Sequence, residues 1–220
     1  MPNVEPATAD CPATLYRVAR KDDPFRFSEI DALDAELPNV GNRFDVVGGG
    51  VLYASTERIG AYKETLATYR PAASSARYRT ASHMAVGSLP AEWRDRRRLA
   101  SFGLTDALPF LDVESDATLT FLTQELAATL DSLNLSNLDS AQVRGPNRVL
   151  TRAIAQWAYT AVGEDDEALY SGIRFSSRFQ SHACWAVFEG VTFGRKITET
   201  IDKTDASLQA AAQAFNIVVH

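Results

Sequence analysis

The chain has 220 residues, 45% of them hydrophobic and 23% charged, with a formal net charge of −6. That length suits one sizeable core, because single domains run to roughly 100–200 residues, and no apolar run approaches the roughly 20 residues that would cross a bilayer. The acidic balance argues against direct nucleic-acid binding, which needs a clustered positive surface.

The amino terminus, "MPNVEPATADCPATLYRV", has neither a basic start nor an apolar h-region, so it does not read as a secretory signal, and a cytoplasmic location is expected. Cys11 and Cys184 form neither a disulfide framework nor a metal spacing and are expected to be reduced thiols. Residues 1–13, rich in Pro, Ala and Asp and without periodicity, predict a flexible leader, followed by one domain over 14–220. Thr14 to Ala19, "TLYRVA", bounded by Pro12 and by the turn-like "KDDP", predicts a strand.

"SEIDALDAEL" offers Ser28 as a cap and a helical spacing of Ile30, Leu33 and Leu37, which predicts a short helix. "VVGGGVLYAS" reads as a tight turn at Gly48 to Gly50 leading into the strand Val51 to Ser55. Val51 and Tyr53 share one face of that strand, and Leu52 and Ala54 the other. Thr56 is placed to cap the next helix, in which Ile59, Tyr62, Leu66 and Tyr69 form one apolar stripe. At about 100° per residue Glu64 falls opposite that stripe, so it must face solvent or a cleft.

Downstream, the basic cluster "EWRDRRRLA" (Glu92 to Ala100) is interrupted by acids and reads as a solvated helix face. Leu108 to Val113 predicts a buried strand, and "SDATLTFLTQELAATL" a capped helix with Leu119, Leu122, Leu126 and Leu130 turned inward. "GPNRVLTRAIAQWAYTAV" predicts a helix with Pro146 close to its first turn. Strands follow at Ser171 to Ser177 and Ala183 to Glu189, then a short helix and a final strand in "ASLQAAAQAFNIVV". Strands and helices mix without regular alternation, which favours α+β, or an irregular α/β sandwich, over a doubly wound nucleotide fold.

Several kinds of site are set aside. His83, His182 and His220 have no carboxylate or cysteine at ligand spacing, so no metal is expected. No G-x-S-x-G elbow occurs, and the glycine run is neither a Walker loop nor a G-x-G-x-x-G. What remains is Arg43, Tyr53 and Glu64. A guanidinium grips phosphate, an aromatic ring stacks on a flat cationic ring, and a carboxylate stabilises a developing sugar cation. Together these tasks describe cleavage of a nicotinamide ribosyl bond. On spacing alone, however, a surface arginine, a core tyrosine and a solvated glutamate account for the same residues.

The motifs in sequence add to that reading. "LYRV", then "GNRFD" with its glycine turn, "VLYAS", "AYKET" and finally "GIRFSSR" before an apolar strand resemble, in order and spacing, the RES-domain family of bacterial toxin–antitoxin toxins. The match covers Thr14 to Arg70 and Ser171 to Glu189, and Asn42 stands where the family usually has a second glycine. The resemblance implies an ADP-ribosyltransferase-like split β-sheet core with flanking helices, an α+β fold that holds NAD+ in a cleft. It places the family's arginine at Arg43, its glutamate at Glu64 and its serine at Ser177, with Ser176 the neighbouring register. Arg17 and Tyr53 match two further positions around the dinucleotide. It implies NAD+ degradation with inorganic phosphate as co-substrate and no metal, or ADP-ribosylation of a protein; a non-catalytic partner-binding module is the reading from another class. The partner implied is an Xre-type helix-turn-helix antitoxin that blocks the cleft and itself contacts DNA, with a homodimeric toxin core in the complex. No membrane partner is expected. The middle, residues 71–170, carries no family motif and reads as a packing layer.

Overall fold

Residues 4–74, 86–179 and 182–220 are described by a computed structural model; His83 lies outside them. The first half of the chain forms β1 (Thr8–Ala9), β2 (Leu15–Arg20), α1 (Ala32–Ala35), β3 (Val51–Ser55), α2 (Arg58–Leu66), β4 (Ser88–Leu89), α3 (Ala91–Asp95) and β5 (Arg97–Thr105). The second half forms β6 (Phe110–Asp112), α4 (Asp116–Glu125), α5 (Ala127–Ser132), α6 (Ser140–Arg144), α7 (Arg148–Thr160), β7 (Gly172–Ser176), β8 (Ala183–Phe188), β9 (Thr192–Thr200), α8 (Ala206–Ala214) and β10 (Val218–Val219). The fold is α+β. Eight strands make one sheet in the order β1-β6-β7-β8-β3-β2-β5-β9, and β10 pairs with β4 apart from it.

One junction in the sheet is thin. β3 pairs with β8 along five positions and β2 with β5 along six, yet β2 and β3 meet only at Tyr16 opposite Ser55. The sheet is thus split into β1-β6-β7-β8-β3 and β2-β5-β9. Alternation along β3 works as its sequence predicts. Val51 joins a core with Ile173, Phe175, Ala186 and the apolar faces of α4, α5 and α7, while Leu52 and Ala54 join Phe102, Trp185 and Val187 on the other side. A third cluster, around Tyr62, Leu66, Leu99, Leu208 and Phe215, packs α2 and α8 against β2 and β5.

Helix α2 therefore leaves β3 and lies over the neighbouring half, crossing the split. Gly60 permits this, because a Cβ there would collide with the Ser55 hydroxyl and crowd the His182 side chain. The stripe reading of α2 holds for Tyr62 and Leu66, which are fully buried, with Ile59 and Tyr69 half-buried beside them.

Other expectations are corrected. The cap of α1 is Asp31, whose carboxylate accepts from the Leu33 N–H; Ser28 instead pairs its backbone with Val51. The helix buries nothing, and Leu33 is 83% exposed. Thr56 accepts the indole N–H of Trp185 and does not cap α2, which has no side-chain cap. Pro146 lies before the helix, and Asn147 caps α7 through the Val149 and Leu150 N–H groups. Only the start of the basic cluster is helical: Arg97 to Ala100 open β5, where Leu99 and Ala100 are buried. The helix expected across the serine-capped leucine repeat breaks at Leu126 into α4 and α5. Part of the leader forms β1, paired antiparallel with β6, and Ala7 donates its N–H to the Thr118 hydroxyl.

Candidate functional site

A cleft of about 380 Å³ opens at the split, lined by residues from both halves of the sheet, from α2, from the loop before β3 and from the first turn of α7. The loop 41–45 is built around a buried carboxylate. Gly41 adopts a left-handed φ of +72°, and a Cβ there would meet Ile30 and the Asp45 carboxylate. Asn42 then donates both its backbone and its side-chain N–H groups to Asp45. The departure from a second glycine is thereby explained, since Asn42 supplies donors that glycine lacks. Asp45 also accepts the Tyr53 hydroxyl at 2.9 Å, and that hydroxyl accepts the Phe44 N–H. Burial, followed by the Asp45 charge, holds the phenol well above its ordinary pKa, so it stays protonated. The Tyr53 ring is a fixed aromatic wall of the cleft.

Arg43, thus positioned, donates to the Arg144 carbonyl at 3.1 Å and lies 5.7 Å from the Phe175 ring centre. Burial lowers its pKa and the neighbouring Arg148 charge adds to that, with Glu64 opposing. Arg17, on β2, donates to the Arg26 carbonyl at 2.8 Å, and burial brings it down to about 10, so it remains a cation at neutral pH.

Glu64 faces the cleft from α2, as its position opposite the apolar stripe requires. Its Oε1 accepts the Ser177 hydroxyl at 2.6 Å, with the Cys184 thiol 3.8 Å away. Ser177 is itself fixed: its hydroxyl accepts the Phe179 N–H, and its own N–H donates to the His182 carbonyl. Ser176, one position earlier, sends its N–H to Glu114. Of the two adjacent serines, Ser177 is the one whose hydroxyl reaches the carboxylate. Burial, and then the nearby Glu64 charge, push the Cys184 thiol well up, which leaves it a poor nucleophile.

The five residues singled out in the sequence, Arg17, Arg43, Tyr53, Glu64 and Ser177, therefore converge on one cleft or its immediate support. Sequence reasoning missed Asp45, Phe175 and Arg178, although all three stand inside the quoted motifs, and it missed Arg148, which comes from the middle segment. That segment does supply much of the core, but it also supports Arg43. Glu114 pairs with Arg144 at 2.7 Å and reaches the Ser176 N–H, tying the backbone behind Arg43 to the end of β7, which leads into Ser177. Among the described residues, no group of three or more His, Cys, Asp or Glu side chains is arranged to hold a metal ion. His182 lies 3.2 Å from Glu57 outside the cleft lining. Among the described residues, no helix is long and apolar enough to cross a membrane.

The site is thus a cleft at the split of an α+β sheet, lined by four arginines and holding one carboxylate that is positioned by a serine. The model of the RES domain family matches residues 14–208, and the chain belongs to that family, which is associated with toxin–antitoxin systems. No curated protein matches the chain at significance.

Proposed function

We propose that this protein is a toxin that degrades NAD+ by cleaving the nicotinamide–ribose bond, with inorganic phosphate as the acceptor. The observation that carries the reading is the Ser177–Glu64 pair at 2.6 Å, set in a cleft whose other charged lining residues are all arginines. A carboxylate beside the ribose favours the cation-like transition state over the ground state, because the sugar gains positive charge only as the bond breaks. Ser177 fixes the carboxylate before that charge develops, so little reorganisation is needed. Arg17 and Arg43 hold the pyrophosphate, and Tyr53 offers its ring to the nicotinamide.

A phosphate oxygen attacks the ribose carbon while the carbon–nitrogen bond breaks. The bonding pair moves onto the ring nitrogen, which neutralises its charge, and nicotinamide leaves without needing an acid. The other product is ADP-ribose phosphate. Continuous NAD+ loss harms the producing cell, so the protein requires a neutralising partner, an Xre-type helix-turn-helix antitoxin that covers the cleft. The complex acts in the cytoplasm, with a homodimeric toxin core.

The test is incubation of purified protein with NAD+, with and without phosphate, following nicotinamide and its partner product by mass spectrometry. Phosphate-dependent release is expected, and Glu64→Gln should lower it by about 10²–10³-fold, the usual loss when a transition-state electrostatic group is removed. Release by Glu64→Gln at the native rate overturns the carboxylate's role. ADP-ribose on protein in place of free product overturns phosphorolysis.

A further inference from the structure

Four arginines line the cleft, and the pyrophosphate reading uses two of them. Among the described residues, none of Arg17, Arg43, Arg148 and Arg178 has a carboxylate within ion-pair distance; the pairs formed are those of Arg58, Arg144, Arg174 and His182. In a chain of net charge −6 acidic partners are abundant, so the lack of pairing is local. Arg148 stands in the first turn of α7, and among the described residues its guanidinium donates only to the Gly145 carbonyl, at 3.4 Å. Arg178 follows Ser177 directly and lies over the Phe179 ring at 4.7 Å, a contact that leaves guanidinium N–H edges free to meet a ligand.

The cations are not evenly spread. Arg43, Arg148 and Arg178 feel one another: Arg148 and Arg178 both oppose the charge of Arg43, which Glu64 favours, and Arg178 opposes that of Arg148, which Asp45 favours. Arg17 instead feels Asp23 and Arg26, on the far side of the split. Three like charges gathered at one end of a half-buried cleft repel one another in the free protein, and an anion at that end removes the repulsion. One pyrophosphate bridging Arg17 and Arg43 leaves Arg148 and Arg178 unanswered.

We propose that Arg148 and Arg178 form a second phosphoryl-binding subsite, next to Arg43 and separate from the pyrophosphate position, which takes a tetrahedral dianion. It rests on the reading that the cleft holds a dinucleotide. Two sources share this chemistry: free inorganic phosphate, and a phosphate esterified to the ribose of the dinucleotide. Paired planar guanidiniums suit either, because each presents parallel N–H donors to two oxygens.

Calorimetric titrations of the full chain separate the cases without relying on turnover. Inorganic phosphate alone should bind the native protein, and Arg148→Gln and Arg178→Gln should each weaken it about tenfold or more, as expected for a lost charge-assisted contact. ADP-ribose, which carries only the pyrophosphate, should change less than about threefold in these variants and should weaken in Arg17→Gln. If phosphate does not bind but NADP+ binds tighter than NAD+, and that advantage disappears in Arg148→Gln, the subsite stands with the ribose-borne phosphate as its source. If the two variants weaken ADP-ribose as much as phosphate, the pair grips the pyrophosphate and a separate subsite is overturned. Phosphate binding that neither variant alters overturns it too, as does a native protein that neither binds phosphate nor prefers NADP+. Arg148→Lys, which keeps the charge and loses the fork, should recover part of the affinity, and thermal unfolding checks that each variant is folded. A protein that binds phosphate in this way yet releases no nicotinamide refutes the proposed reaction and leaves the subsite intact.

Discussion

The two walls of the cleft are built on opposite principles. On the carboxylate wall, Glu64 is met by the Ser177 hydroxyl, and Ser177 is fixed in turn by Phe179 and His182, so the anion has its donors before any ligand arrives. On the arginine wall, Arg43 and Arg148 rest on backbone carbonyls, and among the described residues neither has a carboxylate within ion-pair distance. The difference teaches where the protein spends its order. In the proposed reaction, the group that must be ready as charge develops is preorganised by side chains, whereas the groups that would recognise a permanent anion are aimed by the backbone and left for the ligand to neutralise.

Removing the donor on the carboxylate wall is the sharpest way to break that contrast. Ser177→Ala should lower nicotinamide release about 10–100-fold, the range for a hydrogen bond to a charged group, with the fall in kcat and little change in KM for NAD+. Ser176→Ala, one residue away, should leave turnover near the native rate. Equal losses in the two variants, read from steady-state kinetics, would show that the strand as a whole matters rather than the Ser177 hydroxyl.

A smaller effect is expected behind the arginine wall. Burial pushes the Glu114 carboxyl up, but the hydrogen bonds from Arg144 and from the Ser176 N–H outweigh it, and the group sits below its ordinary value. A depressed carboxyl contributes stability that is complete above the unfolded-chain pKa of about 4.3 and is lost as pH falls through the lower folded value. Glu114→Gln should cost about 1–2 kcal/mol at pH 7. Between about pH 5 and 3 the native protein should lose more Tm than the variant does, a difference that scanning calorimetry at several pH values checks.

The smallest effect belongs to Arg58, which pairs with Glu199 and Asp205 on the far side of α2. Both Arg58 and Glu199 are more than a third exposed, so Arg58→Ala should cost about 1 kcal/mol or less, and less still in high salt. Turnover should not change; a large loss would mean that the pose of α2, and with it Glu64, depends on this ion pair.

What could be read from the sequence follows the range of the rules involved. β3 and the inward stripe of α2 depend on alternation and helical period, which act within a few residues, and Glu64 could be placed from them. β5 and β9 were not foreseen. Arg97 and Arg98 mask the entry to β5, and β9 is an edge strand with Phe193 and Ile197 as its only large apolar side chains, so neither carries the expected alternation. The caps misjudged at Ser28 and Thr56 were each lost to a long-range partner, Val51 and Trp185. Arg148 was invisible for the same reason: its place in the cleft is set by how α7 docks, and nothing near it in sequence records that.

The single register pair between Tyr16 and Ser55 has a consequence for how the molecule responds to occupancy. With so little ladder across the split, the free protein is two slabs joined by one seam and strapped by α2. On the proposed reading, a dinucleotide held by Arg17 on one slab and by Arg43 on the other would act as a clasp, supplying from the solvent side the cross-links that the backbone omits. Closing the clasp should slow hydrogen exchange along β2 and β3 more than anywhere else in the sheet, so the seam itself reports when the cleft is full.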